Sequence, residues 1–331
     1  MASDQSSRKY LQQEECVEYE IKELISTLPR QNGWLASSLY QYQGFWHAAA
    51  YLQGLISCQN HFQARDSDVF LITTPKSGTT WLKALIFALM NRKQNPIPSA
   101  THPLLTHNPH DLVPFLEIKL YADNQKPDIA SLPSPRLFST HIPYVSLPES
   151  VKSGSRCKLV YLCRNPKDTF VSLWHFTNKL RTPEMGANNI GGVFDRFCNG
   201  ISLYGPFWDH VLEYWNLSKD DPEGAMFLKY EDMKEQPGVH IRRLAEFLNC
   251  PFTEDEEGLG LVEEMLRLCS FDHLSCLEVN KSGKLSSGEE NNAFFRRGEV
   301  GDWKNYLTPE MVDQVDRITA NKFSGSGLQL R

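Results

Sequence analysis

Val69-Phe70-Leu71-Ile72-Thr73-Thr74-Pro75-Lys76-Ser77-Gly78-Thr79-Thr80-Trp81, running on through Leu82-Lys83-Ala84-Leu85-Ile86-Phe87-Ala88-Leu89-Met90-Asn91, is the stretch that decides the fold. Val69 to Thr73 is an unbroken apolar run that reads as a strand buried on both faces, the kind a parallel sheet requires. Trp81 to Asn91 reads as a helix, and Pro75 to Thr80 as the loop between them. A strand, a short loop and a helix start bring free backbone N–H groups and the positive end of a helix dipole together, which favours a bound phosphate. Lys76, Ser77, Gly78, Thr79 and Thr80 add a cation, three hydroxyls and a glycine within five residues, all suited to wrapping an anion. An ordinary polar turn is the plainer alternative. The loop is not a Walker A motif, because the lysine precedes the glycine and no G-x-x-x-x-G-K-[ST] is present.

Working outward, Arg136 to Thr140, Lys158 to Cys163 and Ala225 to Leu228 read as further strands. Asp168 to Thr177, Phe207 to Trp215, Val239 to Leu248 and Pro309 to Lys322 read as helices. Alternating strands and helices predict an α/β fold with a central parallel sheet covered on both faces. We expect one domain over 37–331, preceded by a charged, irregular N-terminal arm over 1–36. Leu39 to Leu55 places Tyr40, Tyr42, Phe45, Trp46 and Tyr51 in a helix-compatible pattern, which either frames an apolar pocket or covers the core. The polar tract KSGKLSSGEENN from Lys281 to Asn292 reads as a flexible loop.

The charge of -6 over 331 residues leaves no excess of cations for a nucleic-acid backbone or an anionic membrane surface. Any bound anion must therefore be held locally. Eight cysteines lie scattered without a CxxC pair, so reduced and mostly buried thiols are expected rather than a zinc site or disulfide framework. The first twenty residues carry Asp4, Glu14, Glu15, Glu18 and Glu20 and no apolar stretch, unlike a signal or transit peptide. The longest apolar run, Ala84 to Met90, is too short to span a bilayer. These features lead us to expect a cytoplasmic location.

A second cluster, Tyr161-Leu162-Cys163-Arg164-Asn165-Pro166-Lys167-Asp168, is followed by Val171-Ser172-Leu173-Trp174-His175-Phe176. It sets Arg164 at the C-terminal end of a strand, the usual ligand edge of such sheets. A third is Phe295-Arg296-Arg297-Gly298-Glu299-Val300-Gly301-Asp302-Trp303-Lys304. The three segments resemble, in the same order, the PKSGTTW, RNPKDxxVSxxHF and RKGxxGDWK motifs of the cytosolic sulfotransferases. That family uses 3'-phosphoadenosine 5'-phosphosulfate (PAPS). Arg297 stands where the family usually has Lys. The aromatic arm and the segment NPHDLVPFLE from Asn108 to Glu117 look most like plant members, which act on flavonoids, brassinosteroids and other small acceptors.

The resemblance implies a nucleotide-kinase-like fold and in-line sulfuryl transfer from PAPS to a hydroxyl of a small apolar acceptor, leaving 3'-phosphoadenosine 5'-phosphate (PAP). Lys76 would hold the bridging oxygen of the departing phosphate, with Ser77, Gly78, Thr79 and Thr80 donating around it. Trp81 would stack on the adenine, with Tyr230 and Phe271 nearby; core packing is the competing role for the last two. Arg164 and Ser172, with Arg296, Arg297 and Gly298, would bind the 3'-phosphate. His141 matches the family's catalytic histidine, where a base of near-neutral pKa would take the acceptor proton. Many animal members carry a lysine two residues before that histidine; this chain has Ser139. No metal is expected, since a sulfuryl group has less charge to neutralise than a phosphoryl group.

The resemblance also suggests that Tyr40 to Trp46, Tyr144 and the loop from Lys179 to Gly192 line the acceptor site. Animal relatives often dimerise through K-x-x-x-T-V-x-x-x-E, whereas this chain has Lys304, Thr308, Pro309 and Asp313. The proline removes a backbone donor, so a monomer is expected. The rival readings are a P-loop kinase using ATP and Mg²⁺, and a silent PAP-binding protein.

Overall fold

The computed structural model describes residues 17–122 and 126–330. Cys16 and the acidic residues Asp4, Glu14 and Glu15 lie outside them. Four strands form the main sheet: β4 (Val69–Thr73), β5 (Leu137–Thr140), β6 (Lys158–Cys163) and β7 (Ala225–Lys229). All pairings are parallel, and the order is β5-β4-β6-β7. Alternate side chains of β4 and β6 divide between two cores. Phe70, Ile72, Leu159 and Tyr161 enter one, and Val69, Leu71, Val160 and Leu162 the other. Complete burial of such side chains contributes roughly 1.5–3 kcal/mol each, which is why an unbroken apolar run takes the centre of the sheet.

Because β5 lies on one side of β4 and β6 on the other, the strand order reverses beside β4. In open α/β sheets a crevice opens at such a point, outside the C-terminal ends of the strands. The helices that flank it are α3 (Thr79–Met90), α4 (Pro166–Leu180), α5 (Phe207–Asp220), α6 (Pro237–Phe247) and α7 (Pro309–Phe323). Each overlaps a helix expected from the sequence. No described helix is long and apolar enough to cross a membrane.

Three expectations need correction. Residues 17–36 are not an irregular arm: they carry α1 (Tyr19–Thr27) and β1 (Arg30–Asn32), and Val17, Ile21, Ile25 and Trp34 enter the core. Leu39 to Leu55 is not one helix. Strands β2 (Ser38–Tyr42) and β3 (Phe45–His47) form a hairpin, with β1 pairing on β2, and α2 (Ala49–His61) follows. Gln43 and Gly44, with φ of 50° and 89°, make the two-residue turn that a right-twisted hairpin prefers. The boundary drawn at residue 37 therefore falls between two paired strands. Finally, Lys281 to Asn292 has local order, with the Leu285 N–H donating to the Glu289 carbonyl at 2.9 Å and Lys284 bridging to Glu290.

Candidate active site

The loop after β4 opens α3 through two left-handed residues on either side of Ser77, Lys76 with φ of 70° and Gly78 with φ of 105°. Gly78 is required for a second reason: a Cβ there would lie 2.7 Å from the Tyr230 ring. Lys76, Gly78, Thr79, Thr80 and Trp81 border a cleft of about 590 Å³. Ser77 does not border it. Its hydroxyl is buried against Thr74 Oγ1 at 2.6 Å, so its contribution is to shape the turn.

The ends of the other strands meet the same cleft. Arg164 follows β6 and is buried, with one terminal nitrogen donating to the Glu299 carbonyl at 2.6 Å and its guanidinium 4.7 Å from the centre of the Tyr230 ring. Ser172, two turns into α4, also borders the cleft. Asp168, earlier on α4, accepts the N–H groups of Gly301 and Trp303 at 2.7 and 3.0 Å. That pins the segment carrying Arg296, Arg297 and Gly298 against the cleft. Asp302 accepts from Arg296 and Arg297 at 2.5 and 2.7 Å. Burial tends to raise its pKa, but these contacts hold it below the usual carboxylate range.

The cleft fits a nucleotide bearing more than one phosphate. The Nε of Arg164 and the Nε of Arg296 are buried with no hydrogen-bond partner among the described residues. Buried donors of this kind are rarely left unpaired, so two charged donors here point to an anionic acceptor. Trp81 and Tyr230 meet edge to face at 5.5 Å, and the Tyr230 hydroxyl donates to the Gly298 carbonyl at 2.9 Å. A Cβ on Gly298, whose φ is 66°, would come within 2.6 Å of Phe271. Trp81, Tyr230, Phe271 and Gly298 thus form an aromatic slot beside the arginines. Lys76 stands among cations: burial first, then the charges of Arg164, Arg296 and Lys179, lower its pKa to about 7. An arriving anion reverses that balance and keeps the ammonium charged.

His141 follows β5 directly. Its Nδ1–H donates to the Thr73 carbonyl at 2.6 Å, which leaves Nε2 as the nitrogen available to the cleft. The backbone is held from both sides: the His141 N–H donates to Glu117 Oε1 at 2.9 Å, and His210 Nε2 donates to the His141 carbonyl at 2.9 Å. Burial, with neighbouring Lys83, His210 and Lys76, lowers the His141 pKa to about 3 against the pull of the Thr73 contact. The ring is therefore neutral, although far below the near-neutral pKa expected from the sequence. Ser139 is buried, donates to the Pro114 carbonyl at 3.2 Å and does not border the cleft.

The far wall of the cleft differs from expectation. Tyr40, Phe45 and Trp46 are buried in the core, Tyr144 packs 5.9 Å from Tyr214, and Arg181 closes the 179–192 loop on Gly186 and ties it to Trp34. The wall comes instead from Tyr51, Phe115, Ile118, Phe176, Phe294 and the 285–289 turn. Two polar residues at and behind that wall escaped the sequence reading. Lys83 is buried within α3, and its Nζ lies 2.9 Å from His110 Nδ1. The signal for Lys83 was a lysine amid Leu82, Ala84 and Leu85 on an apolar helix; His110 lay in the NPHDLVPFLE segment without a role.

A loop at a sheet's switch point that opens a helix, arginines with buried unpaired donors and a neutral histidine on the same cleft suit an enzyme that transfers a group from a nucleotide. Residues 66–327 match the family described as "Sulfotransferase domain", and the chain belongs to that family. It is 52% identical over 330 residues to cytosolic sulfotransferase 12 of Arabidopsis thaliana, covering 99% of each chain. It is 50% identical to cytosolic sulfotransferase 5 of the same plant, covering 94% of this chain and 96% of that one. A crystal structure of an Arabidopsis thaliana protein proposed to be a steroid sulphotransferase superposes with a TM-score of 0.77 at 46% identity, over 97% of this chain and 99% of that one. A mouse sulfotransferase complexed with PAP superposes with a TM-score of 0.67 at 27% identity, over 87% and 95%. The enzyme is a sulfotransferase that uses PAPS as cosubstrate and a hydroxyl compound as acceptor.

Proposed function

We propose that this enzyme sulfates a flat, apolar hydroxyl compound, a flavonoid, another phenol or a brassinosteroid-like steroid, with His141 as general base. The observation that carries this reading is the His141 side chain, which spends Nδ1 on Thr73 and faces a wall of Tyr51, Phe115, Phe176 and Phe294 with Nε2. Those four rings offer apolar faces against which a flat ring system can pack and a carbohydrate's hydroxyls cannot be satisfied. The acceptor proton passes to Nε2 as its oxygen attacks sulfur, and Lys76 offsets the charge growing on the leaving phosphate oxygen. Comparing kcat/KM across flavonoid, steroid, sugar, peptide tyrosine and short aliphatic acceptors, with labelled PAPS and with or without EDTA, tests it. Preference for a flavonoid or steroid, insensitive to EDTA, is the expected result; preference for carbohydrate or peptide overturns it. Binding of PAP without turnover of any acceptor would favour the silent PAP-binding alternative.

Within this reading Arg164, Ser172, Arg296, Arg297 and the Gly298 backbone hold the 3'-phosphate, while Thr79 and Thr80 hold the 5'-phosphosulfate. Arg164→Ala should weaken PAPS by about 1.5–3 kcal/mol, the loss of a charge-assisted contact. Adenosine 5'-phosphosulfate, which lacks the 3'-phosphate, should respond little. Equal losses for both nucleotides would make Arg164 a structural residue.

We further propose a cytoplasmic monomer. Thr308 caps α7 by accepting the Met311 N–H at 3.3 Å, and Pro309 occupies its first turn, so the segment lacks the Pro309 N–H that a two-fold contact could use. Light scattering should give the monomer mass at all concentrations, and a concentration-independent dimer would contradict this.

A further inference from the structure

Lys83 has no solvent exposure, and a lysine in such a place is rare unless its charge has a use. Its Nζ lies 3.5 Å from the centre of the Phe115 ring and 2.9 Å from His110 Nδ1. On the other side of the imidazole, His110 Nε2 lies 3.0 Å from Thr80 Oγ1. His110 and Thr80 both border the cleft, so the chain Lys83, His110, Thr80 runs from the core to the loop read as the phosphosulfate site.

The direction of this chain follows from what each group can donate. Burial pushes the Lys83 pKa well below its usual value, yet Nζ carries N–H donors whether or not it is protonated; by donating to Nδ1 it places the single ring proton of neutral His110 on Nε2. Burial, followed by the nearby charge of Lys83, keeps His110 neutral by pushing its pKa well below the usual value. Nε2–H then donates to Thr80 Oγ1. With that lone pair occupied, the Thr80 O–H is free to turn into the cleft. The reverse chain, open to a neutral amine at Lys83, presents oxygen lone pairs to an arriving anion, and that repulsion favours the first direction.

We propose that Lys83 and His110 form a fixed relay that aims the Thr80 hydroxyl proton at the phosphosulfate group, His110 being a positioning residue. The proposal rests on the assignment of the Pro75 to Thr80 loop as the phosphosulfate site. It does not depend on the identity of the acceptor.

Two measurements test it. In wild-type enzyme labelled with ¹⁵N-histidine, the tautomer of His110 is read by NMR before and after PAP is added. A proton on Nε2 and a bare Nδ1 in both states is expected, and a proton on Nδ1 overturns the relay. Second, kcat/KM for PAPS is compared among Thr80→Val, His110→Leu, His110→Gln and the Thr80→Val/His110→Leu double variant. His110→Leu should lose roughly 10- to 100-fold, the scale of one charge-assisted donor. His110→Gln should regain much of it, because its amide N–H can reach Thr80 in place of Nε2–H. In the Thr80→Val background, His110→Leu should cost little more. Additive losses, or Gln no better than Leu, defeat the relay alone. An unchanged kcat/KM in Thr80→Val defeats the loop assignment and the relay with it.

Discussion

His141→Ala is expected to lower kcat by about 10²- to 10⁴-fold while PAP still binds, the range usual for loss of a positioned general base. The selectivity follows from the location of the ring. His141 stands after β5, and Arg164, Arg296 and Arg297 hold the other end of the cleft. Its backbone bonds to Glu117 and His210 do not involve the imidazole, so the alanine variant keeps them. The bond lost is that of Nδ1 to the Thr73 carbonyl. His141→Asn is a useful companion, since its amide can still donate to Thr73 but offers no base. Both variants should be equally slow. Near-normal turnover in a folded alanine variant would remove His141 from the chemistry.

Lys76→Met is expected to cost about 10²- to 10³-fold in kcat, comparable with losing one preorganised donor to developing charge. Methionine keeps the length of the stem without the cation. The same variant should alter the proton balance of binding. With a pKa near 7 in the free enzyme, Lys76 is mostly neutral at pH 8. The phosphates of PAP raise that pKa on binding, so Lys76 should take up to one proton at pH 8 and almost none at pH 6. PAP itself contributes little at pH 8, because a phosphate monoester has its second pKa near ~6. Calorimetry in buffers of different ionisation enthalpy reads this directly. Uptake in the wild type that disappears in Lys76→Met is the predicted pattern; equal uptake in both assigns the proton elsewhere.

The two halves of the cleft differed in how far the sequence exposed them, for a physical reason. The half proposed for the cosubstrate is built from short contiguous segments at strand ends: Lys76 to Trp81 after β4, Arg164 after β6 and Tyr230 after β7. Strand periodicity and local composition suffice to find such segments. Both β4 and β6 have the limits read from the sequence. The half proposed for the acceptor draws single side chains from Tyr51, Phe115, Phe176 and Phe294, which belong to separate elements and share no spacing. Aromatic residues near Tyr40 looked like candidates because pocket and core aromatics have the same composition. The hairpin was hidden because its turn is Gln43-Gly44 rather than a stronger turn signal such as Asn-Gly. The Lys83–His110 contact spans 27 positions, so no helical or strand period relates the pair.

The most direct measurement is a crystal structure of the wild-type enzyme with PAP and a phenolic acceptor that the enzyme turns over. The acceptor oxygen should lie about 2.6–3.2 Å from His141 Nε2, with Lys76 Nζ on the 5'-phosphate and the Nε groups of Arg164 and Arg296 paired around the 3'-phosphate. An acceptor oxygen beyond the reach of His141, or a 3'-phosphate away from those arginines, would contradict this assignment.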